Sequence, residues 1–246
     1  MEKHNNNLIR KENGGIICSH GDFSIDPVRP VKRALITHAH FDHISFGCEE
    51  YICSPETSVL LKERIGKKIK VKSYGYDESF KINGIKISFY PSGHILGSSQ
   101  IKLEGGNEKW LITGDFKRQR DETCLNYQEV KTDFLICEST FALPIFNWDS
   151  TNKIVNQIVE WVNKSPNMTS ILFCYSLGKA QRLLNELKNK NIKNIYVHSN
   201  IKKINDIYID QGINLEDVTK INPGIKPKDY QGSLLLMPPS QNKYNE

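Results

Sequence analysis

The run Thr37-His38-Ala39-His40-Phe41-Asp42-His43 packs three histidines and an aspartate into six consecutive positions. Imidazole and carboxylate are the ligand types that a zinc ion takes while keeping one position open for water. Histidines at i and i+2, with aspartate and histidine at i+4 and i+5, are too many ligands for one tetrahedral ion, so the run predicts two adjacent metals. The bland alternative is a polar loop of surface histidines, and four ligand-type residues in six positions argue against it. Two further candidates stand apart in sequence: His94 in Pro91-Ser92-Gly93-His94, and Asp115 in Thr113-Gly114-Asp115. Alone, His94 reads as a loop or half-buried histidine and Asp115 as a turn or cap residue. Each, however, follows an apolar strand and a small residue, where a rigid edge presents a ligand.

These residues need strands to aim them. Short apolar runs bounded by Gly, Asn, Asp or Pro predict strands at 15–18, 22–26, 34–37, 51–54, 69–74, 85–90, 100–103, 110–113 and 134–137. A helix is predicted at 55–65, with Pro55 in its first turn and Gly66 just past its end. Beyond about Phe146 the pattern changes. Helical spacing at 151–163, 179–189 and 201–209 alternates with strand-like runs at 170–174, 195–198 and 233–236, which predicts a small parallel βαβ layer. The expected organisation is therefore a β-rich part at 1–146 and an α/β module at 147–246.

Composition bounds the rest. A chain of 246 residues suffices for one large domain or one and a half ordinary ones. The net charge of +5 permits contact with a phosphate backbone without demanding it. No apolar run reaches the length of a membrane span. The start, Met1-Glu2-Lys3-His4, lacks the apolar core of a secretory signal, so the expected location is the cytoplasm. The six cysteines form no C-x-x-C pair and are expected as reduced, buried thiols. His4 and His20 are expected in solvent, and His198 in a loop or substrate groove. Trp110, Trp148 and Trp161 are expected in the core or at a module interface, with base stacking by Trp148 as the lesser alternative. The basic stretch Lys62, Arg64, Lys67, Lys68, Lys70 and Lys72 is expected as a solvated helix end, and next as a nucleic-acid contact.

The His-x-His-x-Asp-His run, the later Gly-His and the Gly-Asp after a strand together resemble the metallo-β-lactamase superfamily. The resemblance implies an α/β fold, the metallo-β-lactamase αββα sandwich, incomplete here and joined to a partial β-CASP-like α/β module. It implies that His38, His40 and His94 hold one zinc, that Asp42 and His43 hold another, and that Asp115 bridges the two. Asp26, in Ser24-Ile25-Asp26-Pro27, is similar to the superfamily's first-motif aspartate, which braces the metal loop. Cys137-Glu138-Ser139-Thr140-Phe141 resembles the acidic motif of the β-CASP nucleases, where Glu138 would orient a metal-bound group.

Gly21-Asp22-Phe23-Ser24-Ile25-Asp26-Pro27, Glu138-Ser139-Thr140-Phe141-Ala142-Leu143-Pro144, Tyr175-Ser176-Leu177-Gly178-Lys179-Ala180-Gln181-Arg182 and Pro238-Pro239-Ser240 resemble the bacterial DNA ligase-associated exonuclease family, also described as mRNA 3′-end processing factor-like. The implied function is a metal-dependent phosphodiesterase that hydrolyses DNA through a zinc-bound hydroxide, with an RNA-processing nuclease of the same group as the alternative. Asp42, Asp115 and Glu138 would serve the chemistry. Ser139, Thr140 and Lys179 would seat a phosphate. Zinc is the implied metal and manganese the alternative. The implied partners are nucleic acid (DNA before RNA), an ATP-dependent DNA ligase and a helicase.

Family members continue into a Ser-Asp-His-Ala-Asp-like and a Thr-His-Gly-like motif, whereas no histidine follows His198 here. The resemblance therefore implies a second zinc site short of one ligand. The rivals of another class are a thioester or lactam hydrolase on the same fold, and a non-catalytic relative that holds nucleic acid without cutting it.

Overall fold

The computed structural model describes residues 8–241, apart from 13, 14, 77 and 217. His4 lies outside the described residues. The chain divides into two compact units, Met1–Ser139 and Thr140–Glu246.

The first unit begins with β1 (Arg10–Glu12), β2 (Gly15–Cys18), β3 (Phe23–Ile25), β4 (Arg33–Leu35), β5 (Glu50–Cys53), α1 (Pro55–Ile65) and β6 (Val71–Ser73). Its first sheet runs β1-β2-β3-β4-β5-β6. The pairs from β1 to β3 are antiparallel, and those from β3 to β6 are parallel. The second sheet comprises β7 (Ser79–Ile82), β8 (Ile85–Pro91), β9 (Ser99–Gly105), β10 (Glu108–Ile112) and β11 (Phe134–Ile136). Its order is β11-β10-β9-β8-β7, antiparallel except for the parallel pair β10 and β11.

One apolar cluster joins the two sheets. Phe23, Ile25, Leu35 and Ile52 come from the first, and Ile87, Phe89, Ile101, Leu103 and Ile112 from the second. The sheets thus pack face to face over a shared core, as alternating inward side chains require. Helix α1 packs against β5 and β6. Its limits are those read from the sequence: the Ser54 hydroxyl accepts the Thr57 N–H at 3.2 Å, Pro55 opens the first turn, and Gly66 ends it at φ +116°.

The strand limits differ from the sequence reading for local reasons. β3 is shorter than 22–26 because Asp22 (φ +56°) and Asp26 (φ +42°) both leave the extended region. β4 stops at Leu35 because the Thr37 N–H is taken by the Asp26 carboxylate at 2.8 Å, not by a neighbouring strand. The sequence reading missed β1, whose three residues are all charged and exposed, and β7, whose alternation spans only Phe80 and Ile82.

The second unit contains α2 (Thr151–Asn163), β12 (Ser170–Phe173), α3 (Lys179–Leu187), β13 (Ile195–Val197), α4 (Ser199–Asp210), β14 (Thr219–Lys220) and β15 (Leu234–Met237). All pairs in its sheet are parallel, in the order β12-β15-β13-β14. This is the parallel layer expected from alternating helix and strand periods, with the last strand inserted at its centre. Val155, Val162, Leu184, Leu187, Val197, Ile201, Leu234 and Leu236 form its core.

Several single-residue expectations need correction. Cys18, Cys53 and Cys174 are buried, but Cys48 and Cys124 are half-buried and Cys137 is exposed, just past the end of the edge strand β11. Trp148 (67 % exposed) and Trp161 (43 %) are surface residues, while Trp110 is half-buried and stacks on Phe134 at 4.5 Å. His198 does lie in a loop, as expected, and caps α4, with its Nδ1 accepting the Asn200 N–H at 3.2 Å. Lys70 and Lys72 are not simply solvated, because both pair with the buried Glu50 carboxylate. Among the described residues no helix is long and apolar enough to cross a membrane.

Candidate metal centre

The first unit brings the histidine run, His94 and Asp115 together. The run leaves β4 and turns through a short 3₁₀ helix at Phe41–His43. His94 follows β8, and Asp115 follows β10. One ligand atom from each of His38, His40, His94 and Asp115 falls within 4.8 Å of the others. His38 Nε2 lies 3.0 Å from His40 Nδ1, and His94 Nε2 lies 3.2 Å from the same atom. Asp115 Oδ2 stands 3.5 Å from His94 Nε2 and 3.7 Å from His38 Nε2. A tetrahedral shell with zinc–ligand bonds of about 2.0–2.1 Å separates neighbouring donors by roughly 3.3 Å, so these four atoms fit one such ion.

The other Asp115 oxygen faces elsewhere. Oδ1 lies 3.2 Å from His43 Nε2, and His43 Nε2 lies 3.8 Å from Asp42 Oδ2. This second group is looser: it has two residues besides Asp115, and the Asp42 side chain is 78 % exposed.

The polar contacts behind the ligands fix which ring nitrogens face the cleft. Thr37 donates its hydroxyl to Asp26 Oδ2 at 2.5 Å, which leaves an oxygen lone pair for His38 Nδ1 at 3.1 Å. His43 Nδ1 is 2.8 Å from the same Asp26 oxygen. With both Nδ1 atoms spent on this network, the Nε2 atoms of His38 and His43 point at Asp115. Such buttressing sets tautomer and ring orientation at metal-binding histidines. Thr37 stands at the head of the run, outside the ligand-type residues. Its only sequence signal is a hydroxyl directly before the first histidine. Thr37→Val keeps the branched shape and deletes the hydroxyl. It is expected to weaken metal binding about 10–100-fold, read by competition with a chromogenic chelator.

The protonation states of His38 and His94 suit a cation, whereas His43 carries a proton that a cation in the second group would have to displace. Burial drives the His38 imidazole well below its usual pKa, helped by His43, His40, His94 and Arg64. Burial, then the charge of His40, brings His94 down to about 4 against the pull of Asp115. Both are therefore neutral at pH 7, the form that binds a cation. Burial also works against charge on His43, but its hydrogen bonds to Asp115 and Asp26 prevail and raise it to about 10. Burial would raise the Asp115 carboxyl; its bond to His43 and the surrounding imidazoles hold it below its usual range.

Close backbone packing holds the loops in register. The Ser92 hydroxyl donates to the Asp115 carbonyl at 2.9 Å, and the Lys117 N–H donates to the Ser92 carbonyl at 3.0 Å. Glu138 Oε1 accepts the Phe116 N–H at 2.9 Å, which places this carboxylate on the residue next to Asp115. Further along, Asp121 is buried, accepts the N–H and hydroxyl of Thr123, and pairs with Lys117.

Burial alone would raise the Asp121 pKa; the Lys117 bond lowers it below the ordinary value. A depressed carboxyl stabilises the fold above its unfolded pKa, near 3.9, and the gain is lost as pH falls through the folded value. Asp121→Asn should therefore cost roughly 3 kcal/mol at pH 7, the scale for breaking a buried pair. The deficit should shrink below about pH 4, where the unfolded chain's carboxyl takes a proton. Urea denaturation at pH 7 and pH 3 checks both halves.

Ser139 and Thr140 are exposed and follow Glu138 directly. Lys179 is exposed in the first turn of α3 in the second unit, behind Gly178 at φ +85°.

A face-to-face pair of mixed sheets, with a histidine–carboxylate cluster on the loops at its strand ends, defines an α/β protein with a candidate metal centre. No family model matches the chain. It is 31 % identical over 194 residues, 77 % of its length, to a probable DNA ligase of Opitutus terrae, of which it covers 19 %. It is 34 % identical over 122 residues, 47 % of its length, to the endoribonuclease YSH1 of Yarrowia lipolytica, of which it covers 14 %. The chain thus spans less than a fifth of either relative. A solved structure of a protein of unknown function from Enterococcus faecalis V583 shares the fold, with a TM-score of 0.55 at 12 % identity over 83 % of this chain and 58 % of that one. These relatives are members of the metallo-β-lactamase superfamily's β-CASP group, and the chain is similar to them over part of its length.

Proposed function

We propose that the chain is a metal-dependent phosphodiesterase acting on nucleic acid, with DNA preferred to RNA. The observation that carries the reading is the split aspect of Asp115: one oxygen faces the three-histidine group and the other faces His43. That arrangement suits a shared carboxylate between two cations. Zinc is the favoured metal and manganese the alternative. Two such cations, when bound, supply a nucleophile from water near neutral pH and positive charge against the phosphoryl oxygens.

The chain's own residues do the rest. His38, His40 and His94 offer nitrogens to the first cation, those of His38 and His94 neutral at pH 7. Asp42, His43 and Asp115 offer donors to the second, and Asp26 sets the ring of His43. Glu138 fixes the backbone beside Asp115. Ser139, Thr140 and Lys179 seat a substrate phosphate. The domain assignment belongs to the same proposal: a metallo-β-lactamase-like domain to residue 146 and a β-CASP-like module from 147. So do a cytoplasmic location and an association with an ATP-dependent DNA ligase and a helicase. The similarity to a probable DNA ligase supports DNA, and the similarity to an endoribonuclease supports RNA as the alternative substrate.

The test uses metal-depleted chain restored with zinc or manganese, assayed on end-labelled single-stranded DNA, on RNA of the same sequence and on a chromogenic lactam. Metal-dependent cleavage of DNA, lost in His40→Ala, is the expected result. Cleavage of the lactam alone, or DNA binding without turnover at any metal concentration, overturns the proposal.

A further inference from the structure

The rim of the metal centre carries an arrangement that metal binding does not explain. Phe41 stands between two of the proposed ligands, yet its ring is 53 % exposed. Phe46 is 58 % exposed and lies nearly parallel to it, at 6.2 Å between centroids and 19° between planes. Over Phe41, at 3.7 Å from the ring centroid, lies the guanidinium of Arg64, from the last turn of α1. Adjacent exposed rings at the mouth of a site are the kind of apolar surface that marks a ligand-binding groove.

Arg64 is itself unusual. Its Nε is buried and has no hydrogen-bond partner among the described residues. Its charge reaches the centre on both sides: it acts on buried His38, and Asp42 acts on it. With its carbon 3.7 Å from the ring centroid, the guanidinium is held on the ring's face, and its two terminal nitrogens suit a planar two-point contact with a phosphate. A purely structural brace would be expected to place its buried Nε on a protein acceptor.

We propose that Arg64, Phe41 and Phe46 form a nucleotide subsite beside the metal centre. Arg64 takes a backbone phosphate neighbouring the one that is cleaved, and the phenyl rings take a base. The occupant is single-stranded nucleic acid, because only an unpaired base offers a face to exposed rings next to a phosphate. The proposal rests on the phosphodiesterase reading for its substrate, but its test needs no turnover.

The experiment measures binding of a fluorescent oligothymidylate to the full chain in chelator, by anisotropy across a salt series. Each phosphate contact on a single strand contributes about 0.7 to the slope of log K against log salt. Arg64→Gln keeps a planar group over Phe41 without the charge, and should lower the slope by about 0.7. Arg64→Lys should keep the slope and bind more weakly. Phe46→Ala should weaken binding roughly tenfold with no change of slope, and the loss should vanish on an abasic oligonucleotide. An unchanged slope in Arg64→Gln overturns the subsite, as does a wild-type chain that does not bind. So does failure of both Arg64 variants to fold, which would make Arg64 a brace. Wild-type hydrolysis of bis(4-nitrophenyl) phosphate, assayed separately with metal, tests the chemistry. Its absence with the Arg64 slope intact would sink the phosphodiesterase reading and leave the subsite standing.

Discussion

Asp115→Asn is expected to lose more than about 100-fold in affinity for at least one of two bound cations, with a matching loss of hydrolysis. The scale follows from measured effects of residues that merely support ligands, which already cost about 10–100-fold. An asparagine has nearly the shape of the aspartate but only one oxygen. In the structure, Oδ2 serves the three-histidine group and Oδ1 serves His43. Whichever way the amide turns, one group meets an –NH₂ that cannot coordinate a cation. The three-histidine group keeps three nitrogens and should hold its ion better. Plasma-emission metal analysis after dialysis against a weak chelator reads the stoichiometry. Two cations per chain in Asp115→Asn, retained as in the wild type, would rule out a bridging role.

Gly93→Ala is the second large effect, through backbone packing with no change in any ligand. Gly93 has φ +73°, and a Cβ there would stand 2.3 Å from the Lys117 carbonyl oxygen and 2.8 Å from the Tyr127 nitrogen. Both neighbours are backbone atoms and cannot swing aside. The left-handed conformation costs a non-glycine residue roughly 1–2 kcal/mol, and the overlap adds about 1–3 kcal/mol. Relief would part the His94 loop from the Asp115 loop, so metal retention should fall along with stability. Gly84→Ala is the control: φ is +84°, but nothing lies within 4 Å of the added carbon. It should pay only the conformational cost, about 1–2 kcal/mol, with metal content unchanged. Equal effects of the two substitutions in urea denaturation would show that the overlap at Gly93 is relieved cheaply.

Much of this arrangement could be read from residue types. The histidine run announced itself by density. Helix α1 was bounded by Pro55 and Gly66, and the alternation of periods after residue 150 foretold a parallel layer. Features that depend on how distant segments meet could not be read. Thr37 gains its importance from Asp26 approaching across eleven positions. Gly93 looked like a small residue before a histidine, and the reason no side chain fits there is a carbonyl supplied by Lys117. Arg64 was one of six basic residues in a stretch that composition describes as solvated. Only the helix direction, which lays it over Phe41, separates it from its neighbours. The exposed Trp148 shows the opposite limit: apolarity alone does not say whether a ring is covered.

Asp26 gives both halves of the centre a common anchor. A single oxygen of its side chain receives the Thr37 hydroxyl, which steadies His38, and also the ring of His43. A cation beside His38 and another beside His43 would therefore lean on one and the same carboxylate oxygen, and any coupling between their occupancies would be reciprocal.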